Sequence, residues 1–356
     1  MTTIPSTLAS PGVGTAGSAL ADRPAPSPVP SLDELYARVS TVIPPVEWAT
    51  MTDDIEDIWR LKREKNAVLL AHNYMTPEIF YGVADVVGDS LALAREAVDV
   101  DADVIVLAGV HFMAETAKLL NPGKTVLVPD PLAGCSLADG ITADDVRRLR
   151  ARHPGVPIVT YVNTSAAVKA ESDVCCTSGN AAAIVRNIAA QTGSRQVLLI
   201  PDQYLARNIA AQVAPQGIEI LTYAGSCEVH ERFTPADLRQ IRTDHPGVQI
   251  LAHPECPPEV VAEADMAGST AQMQSYVEER RLRRVALITE CSMSDNIAAA
   301  NPDVEMIRPC NLCPHMKRNT LAKIRRVLQT GANEVTLDPT VADAARRAVE
   351  RMLELS

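Results

Sequence analysis

The sequence predicts an α/β fold of three pseudo-symmetric small α/β/α sandwiches, with parallel sheets arranged around a central cavity that holds a metal cluster. Three observations predict it. Apolar residues make up 47% of the 356-residue chain but aromatic ones only 3%, so the core has to be aliphatic, which suits helices layered on sheets. Short apolar runs alternate with helix-compatible segments three times over, the pattern of parallel strands in right-handed units. Each round then ends alike, in an apolar run, a loop marked by Gly or Pro, and a cysteine. Val126-Leu127-Val128-Pro129 leads to Cys135, Ile220-Leu221-Thr222-Tyr223 to Cys227, and Val304-Glu305-Met306-Ile307 to Cys310 and Cys313. Cys135, Cys227 and Cys313 stand 92 and 86 residues apart, about one small α/β unit each time.

The elements follow in order. The first 30 residues are rich in Pro, Ser, Ala and Gly and read as a flexible tail. Ser31 is placed to cap a helix through Val39, and Asp53 to Lys65 has an amphipathic helical pattern. The three rounds open on the buried-strand patterns 67–71, 157–160 and 248–252. These run into His72-Asn73-Tyr74, Tyr161-Val162-Asn163-Thr164 and His253-Pro254-Glu255, at the carboxyl edge where open α/β sheets bind ligands. Some 17 or 18 residues later come Gly88-Asp89-Ser90, Thr177-Ser178-Gly179 and Gly268-Ser269-Thr270, each ahead of a helical segment. One such pair is an ordinary cap; three in register predict anion-binding helix starts facing one centre. Second strands are expected at 104–108, 197–201 and 285–289. The expected divisions are 1–45 for the tail and leading helix, 46–139, 140–231 and 232–320 for the repeats, and 321–356 for a helical segment packing back on the body.

Three thiolates at one point suit a four-iron cluster with one iron left open, since such a cluster takes four thiolates when fully ligated. That iron acts as a Lewis acid. Any one cysteine is more often a small core residue, and Cys310-x-x-Cys313 alone fits zinc, a redox pair or a cluster. Neither the zinc nor the redox reading accounts for Cys135 and Cys227 in matching places. Cys175, Cys176, Cys256 and Cys291 lack equivalents in all three repeats and read as structural.

The motifs Ala71-His72-Asn73-Tyr74, Gly88-Asp89-Ser90-Leu91, Phe112-Met113-Ala114-Glu115, Ala133-Gly134-Cys135-Ser136, Tyr161-Val162-Asn163-Thr164, Gly225-Ser226-Cys227-Glu228-Val229-His230, His253-Pro254-Glu255-Cys256, Gly268-Ser269-Thr270 and Cys313-Pro314-His315-Met316-Lys317 together resemble the quinolinate synthase (NadA) family, from about residue 45 onward. The resemblance implies three α/β domains around a 4Fe-4S cluster. It also implies condensation of iminoaspartate with dihydroxyacetone phosphate to quinolinate in NAD biosynthesis, a transferase reaction, with a functional link to L-aspartate oxidase. Cys135, Cys227 and Cys313 look like the cluster ligands. His72, Ser90, Tyr161, Val162, Asn163, Ser178, His230, His253, Pro254, Glu255 and Thr270 look like substrate contacts. Some family members carry a third cysteine in a Cys-x-x-Cys-x-x-Cys series that is shortened here to Cys310 and Cys313; a regulatory disulfide between those two is one expectation. Glu255 is the expected main acid/base, with a raised pKa, while His253 and Tyr74 are expected to help move protons. Lys169 and Lys317 read more readily as solvated surface residues than as electrostatic helpers.

Two alternatives stay open at this point: an aconitase-like hydro-lyase in which Cys310 and Cys313 are both ligands, and a non-enzymatic iron–sulfur redox sensor. A formal charge of −11 argues against nucleic acid as a partner. No apolar stretch is long enough to suggest a membrane span. Sparse cysteines and the absence of a recognisable signal peptide predict a cytoplasmic protein. Neither the dinucleotide nor the P-loop glycine pattern is present, so neither nicotinamide nor ATP is expected.

Overall fold

The computed structural model describes residues 30–356; most of the segment expected to be a flexible tail lies outside them. Three four-stranded parallel sheets share one topology. In the first, β1 (Ala67–His72) lies between β2 (Val86–Gly88) and β3 (Val104–Ala108), with β4 (Thr125–Leu127) outside. The second repeats this order with β5 (Ile158–Tyr161), β6 (Val174–Cys176), β7 (Gln196–Ile200) and β8 (Glu219–Thr222). The third uses β9 (Gln249–Ala252), β10 (Met266–Ala267), β11 (Arg284–Ile288) and β12 (Glu305–Ile307). The central strands are almost wholly buried, and of the outer ones β2, β8, β10 and β12 are exposed in part while β6 is buried, as sheets covered by helices require. The boundaries at 139, 231 and 320 stand as our proposal for where the units divide, since each span holds all four strands of one sheet.

The strand that directly follows the opening one in each sheet, β2, β6 or β10, is absent from the sequence expectation. β2, β6 and β10 are two or three residues long, too short to show a period. What holds them in place is a device repeated three times. Asp85, Asp173 and Asp265, each just before or at the turn into these strands, accept the backbone N–H of Leu69 (2.7 Å), Ile158 (2.7 Å) and Ile250 (2.8 Å) in the neighbouring central strand. Each is paired with a cation from the preceding long helix: Lys62, Arg150 and Arg242. The same cations also donate to the carbonyls of Val83, Glu171 and Glu263. The first edge of every sheet is thus pinned by a carboxylate that already neutralises a helix-borne charge.

The leading helix, Leu32–Val39, begins in a capping box between Ser31 and Glu34, as its sequence predicts. At the other end, Leu321–Thr330 and Pro339–Glu354 form two helices. The second packs on the short helix Ala166–Ala170 and on β6, burying Ala345, Ala348, Val349 and Met352. No described helix is long and apolar enough to cross a membrane. Met352 is wholly buried, so Met352→Ala should cost about 2–5 kcal/mol. Urea unfolding measures this, and an unchanged midpoint would contradict the docking of that helix.

Candidate functional site

The carboxyl ends of the central strands face one cavity. β1 ends in His72, with Tyr74 in the turn beyond; β5 ends in Tyr161, with Asn163 beyond; β9 is followed by His253 and Glu255. All six line the cavity, together with Ser90, Ser178, Thr270, His230, Cys135, Cys227 and Cys313. Two residues of the expected set fall outside this lining. The Val162 side chain is buried in the apolar core while its N–H donates to the Cys176 carbonyl (2.8 Å), and Pro254 contributes a carbonyl to a contact facing away from the cavity.

The three cysteines share a local structure. In each case the cysteine carbonyl accepts the N–H four residues on, from Asp139, Glu231 and Lys317. In each case the sulfur also receives backbone N–H groups from the second and third residues after it: Leu137 and Ala138, Val229 and His230, His315 and Met316. Burial pushes Cys135 up to about 12 and raises Cys227 and Cys313, while these amides work the other way. Donors aimed at a sulfur stabilise its anionic, metal-binding form. A four-iron cluster therefore fits this donor set: three sulfurs from three sheets, each at the head of the same turn, open on one cavity. Cys227 also lies 3.2 Å from His230 Nδ1, and with Glu255 these two could equally hold a single ion.

The other cysteines are engaged elsewhere. Cys175, Cys176 and Cys256 are buried in apolar clusters. Cys310 forms a disulfide with Cys291, so the expected pairing of Cys310 with Cys313 is replaced and Cys313 stays free. Cys310 is also absent from the cavity wall, and the hydro-lyase alternative loses one of its two adjacent ligands.

Glu255 is 3% exposed and is held from two directions. Its Oε2 lies 2.7 Å from His230 Nδ1, and the Tyr161 hydroxyl donates to the carboxylate. Burial works to raise its pKa, but the imidazoles of His253 and His230 and these hydrogen bonds outweigh it, and the carboxyl sits below the usual range. The raised value was expected beside bound dianions; in the ligand-free site the carboxyl is held in its ionised form. Tyr74 is the reverse. Burial, then the Glu255 charge, holds its phenol well above its ordinary value, so it keeps its proton. Its hydroxyl lies 2.5 Å from Thr289 Oγ1, which lies 3.0 Å from His230 Nε2. A hydrogen-bonded chain therefore joins Tyr74 to Glu255 through Thr289 and His230. Sequence reading missed Thr289; the signal available was a hydroxyl just past β11, where the other strand ends carry their polar groups.

Also on the lining, Ser90 and Thr270 begin the helices Ser90–Asp99 and Thr270–Arg280, and Ser178 precedes Ala181–Thr192. Asp89 caps the first helix and accepts from Ser269 Oγ (3.1 Å) of the third sheet's segment, while Asn73 donates to Thr270 Oγ1 (2.9 Å). Asn163 Oδ1 is buried without a partner, a vacancy that a ligand's donor would fill. No lysine or arginine lines the cavity among the described residues. Lys169, expected at the surface, is fully buried and bonds the Thr164 carbonyl. Lys317 is only partly exposed and pairs with buried Glu290 (3.0 Å), which also accepts the Cys313 N–H (3.4 Å).

A family model described as quinolinate synthetase A protein matches residues 56–354. The chain is 65% identical over 325 residues to quinolinate synthase 1 of Mesorhizobium japonicum, covering 91% of this chain and 98% of that protein. It is 63% identical over 325 residues to the quinolinate synthase of Agrobacterium fabrum (91% and 92% covered). To that of Xylella fastidiosa it is 66% identical over 303 residues (85% and 87% covered).

Burial lowers the pKa of His72 from 6.5 to about 4. As pH falls, the unfolded chain takes up this proton first, so acid favours unfolding and stability declines between about 6.5 and about 4. His72→Gln should flatten that decline in a denaturation series across pH. An unaltered slope would contradict a neutral buried imidazole.

Proposed function

The chain belongs to the quinolinate synthetase A family, and on that premise we propose that it condenses iminoaspartate with dihydroxyacetone phosphate into quinolinate, phosphate and two waters. An oxidase acting on aspartate, L-aspartate oxidase, would supply the imine. The observation that carries this reading is the set of three cysteines, each heading the same turn, opening on one cavity that Glu255 also lines.

In this reading Cys135, Cys227 and Cys313 hold a 4Fe-4S cluster. When bound, it supplies an iron with an open position, a Lewis acid for polarising a hydroxyl or carbonyl. The remaining work belongs to the protein. Both substrates are anions and the cavity offers them hydroxyls, not fixed cations. Ser90, Ser178 and Thr270, beside helix starts, donate to carboxylate and phosphate oxygens without burying excess charge. His72 stays neutral and serves as a hydrogen-bonding group. Asn163 orients one polar group of the substrate through its unpartnered oxygen.

The reaction balances without an oxidant, so proton movement is the main demand on the side chains. Glu255, ionised between His230 and Tyr161, takes a proton as the imine becomes its enamine. Tyr74, which holds its proton, gives one to a departing oxygen and is restored along Thr289 and His230. His253 stacks on His230 with ring centroids 4.6 Å apart and holds that ring in place. The sensor alternative accounts for neither the ionised carboxylate nor this hydrogen-bonded chain.

Anaerobic purification with iron quantification and a quinolinate assay tests the reading. Cys135→Ser, Cys227→Ser and Cys313→Ser should each lose iron, and Cys310→Ser should keep it. Glu255→Gln should keep iron and lose roughly 100-fold or more in turnover, the scale of general acid–base catalysis. Near-normal turnover in Glu255→Gln would remove that residue from the mechanism. Iron retained in all three serine variants would remove the cluster from this site.

A further inference from the structure

The turns carrying Glu255 and Tyr74 are each gripped by an asparagine from a different sheet's segment. Asn208, in the second turn of the helix Gln203–Val213 that follows β7, donates through Nδ2 to the carbonyls of Pro254 (2.8 Å) and Cys256 (2.9 Å). Those residues stand on either side of Glu255. Asn296, in the second turn of the helix Ser292–Ala300 that follows β11, donates through Nδ2 to the carbonyls of Asn73 (3.1 Å) and Met75 (2.8 Å). Those stand on either side of Tyr74. The first unit has a counterpart of opposite polarity. Glu115, in the second turn of His111–Leu120 after β3, accepts the Ala166 N–H (2.9 Å) beyond the turn of Tyr161 and Asn163. The grip therefore runs in a ring: first unit to second, second to third, third to first.

We propose that Asn208 and Asn296 are positioning residues, each fixing the backbone around a proton-handling side chain from the neighbouring unit. This inference rests on the roles given above to Glu255 and Tyr74. An amide donating to two carbonyls separated by one residue pins the peptide just ahead of that residue and the second peptide beyond it, holding at both ends the stretch that carries the residue. This sets the direction of its Cα–Cβ bond. Both asparagines are buried, and Asn296 Oδ1 has no partner at all. A buried amide whose oxygen goes unsatisfied is costly to keep for packing alone; its two N–H bonds are what it contributes. Displacement of a reacting group by about 1 Å is enough to lower a rate on the order of a hundredfold, so an indirect contact of this kind can govern turnover.

The test uses the anaerobically prepared holoenzyme. Asn208→Asp keeps the shape and removes the donors; Asn208→Ser, which adds no buried charge, serves if the first does not fold. Each should lower kcat at least tenfold with KM within about threefold and iron content unchanged. Hydrogen exchange should quicken in the peptide spanning residues 253–258. In the Glu255→Gln background, Asn208→Ser should cost no further rate, because the group it positions is already disabled. Asn296→Ser should behave alike for the 72–76 peptide and be silent in a Tyr74→Phe background. Parental kcat with unchanged exchange would overturn the clamp. So would a loss that tracks iron or folded fraction and is as large in the Glu255→Gln background as in the parent. Glu255→Gln alone judges the catalytic reading, and the exchange rates judge the clamp whether or not that reading survives.

Discussion

A carboxylate buried where the sheets meet has to be satisfied by donors from outside its own sheet, and Glu255 is such a group. His230, which follows β8, and Tyr161 at the end of β5 both bond a side chain that belongs to the third sheet. An unpaired charge at that depth would neutralise itself by taking a proton. The ionised state therefore depends on the second and third units being docked. The same holds for Tyr74, whose hydroxyl belongs to the first unit and whose partner Thr289 belongs to the third. The site is a property of the assembly of units, and no single sheet contains it.

The scaffold repeats far more closely than the chemistry. Strand order, the aspartate pins at 85, 173 and 265, and the cysteine-headed turns recur in all three units. The strand ends differ: His-Asn-Tyr, Tyr-Val-Asn and His-Pro-Glu. A threefold frame suits equivalent sulfurs around one centre. The differing strand ends surround it with a base, two phenols and an amide, as needed by a reaction in which no two steps are alike. The cavity lining shows the same division, with hydroxyls in register at Ser90, Ser178 and Thr270, while among the described lining residues only Asn163 has a buried side-chain atom without a protein partner.

Much of this was readable in the residues. Central strands, the helices after them and the three convergent cysteines follow from apolar runs and from repetition at a fixed period, and repetition is what raised each weak signal above chance. What escaped reading has physical reasons. β2, β6 and β10 owe their pairing to a side-chain carboxylate and not to any pattern of their own. Lys169 looks like a surface lysine because its acceptor, the Thr164 carbonyl, is a backbone atom that no composition reveals. Cys310 pairs with Cys291 across a fold, where sequence proximity favoured Cys313. Glu255 was expected to have a pKa raised by bound dianions; in the free site His253 close by in the chain, with His230 and Tyr161 far away along it, holds the carboxyl low. Thr289 stood at a strand end like the others but outside the three opening strands, which drew the attention.

Everything in this account converges on where iron binds. The most direct measurement is an anomalous-scattering map at the iron edge from crystals of anaerobically prepared protein. The account predicts one compact iron site in the central cavity, with the sulfurs of Cys135, Cys227 and Cys313 as its only cysteine ligands. Iron bound through Cys310 or Cys291, or a filled site lacking any one of those three sulfurs, would contradict it.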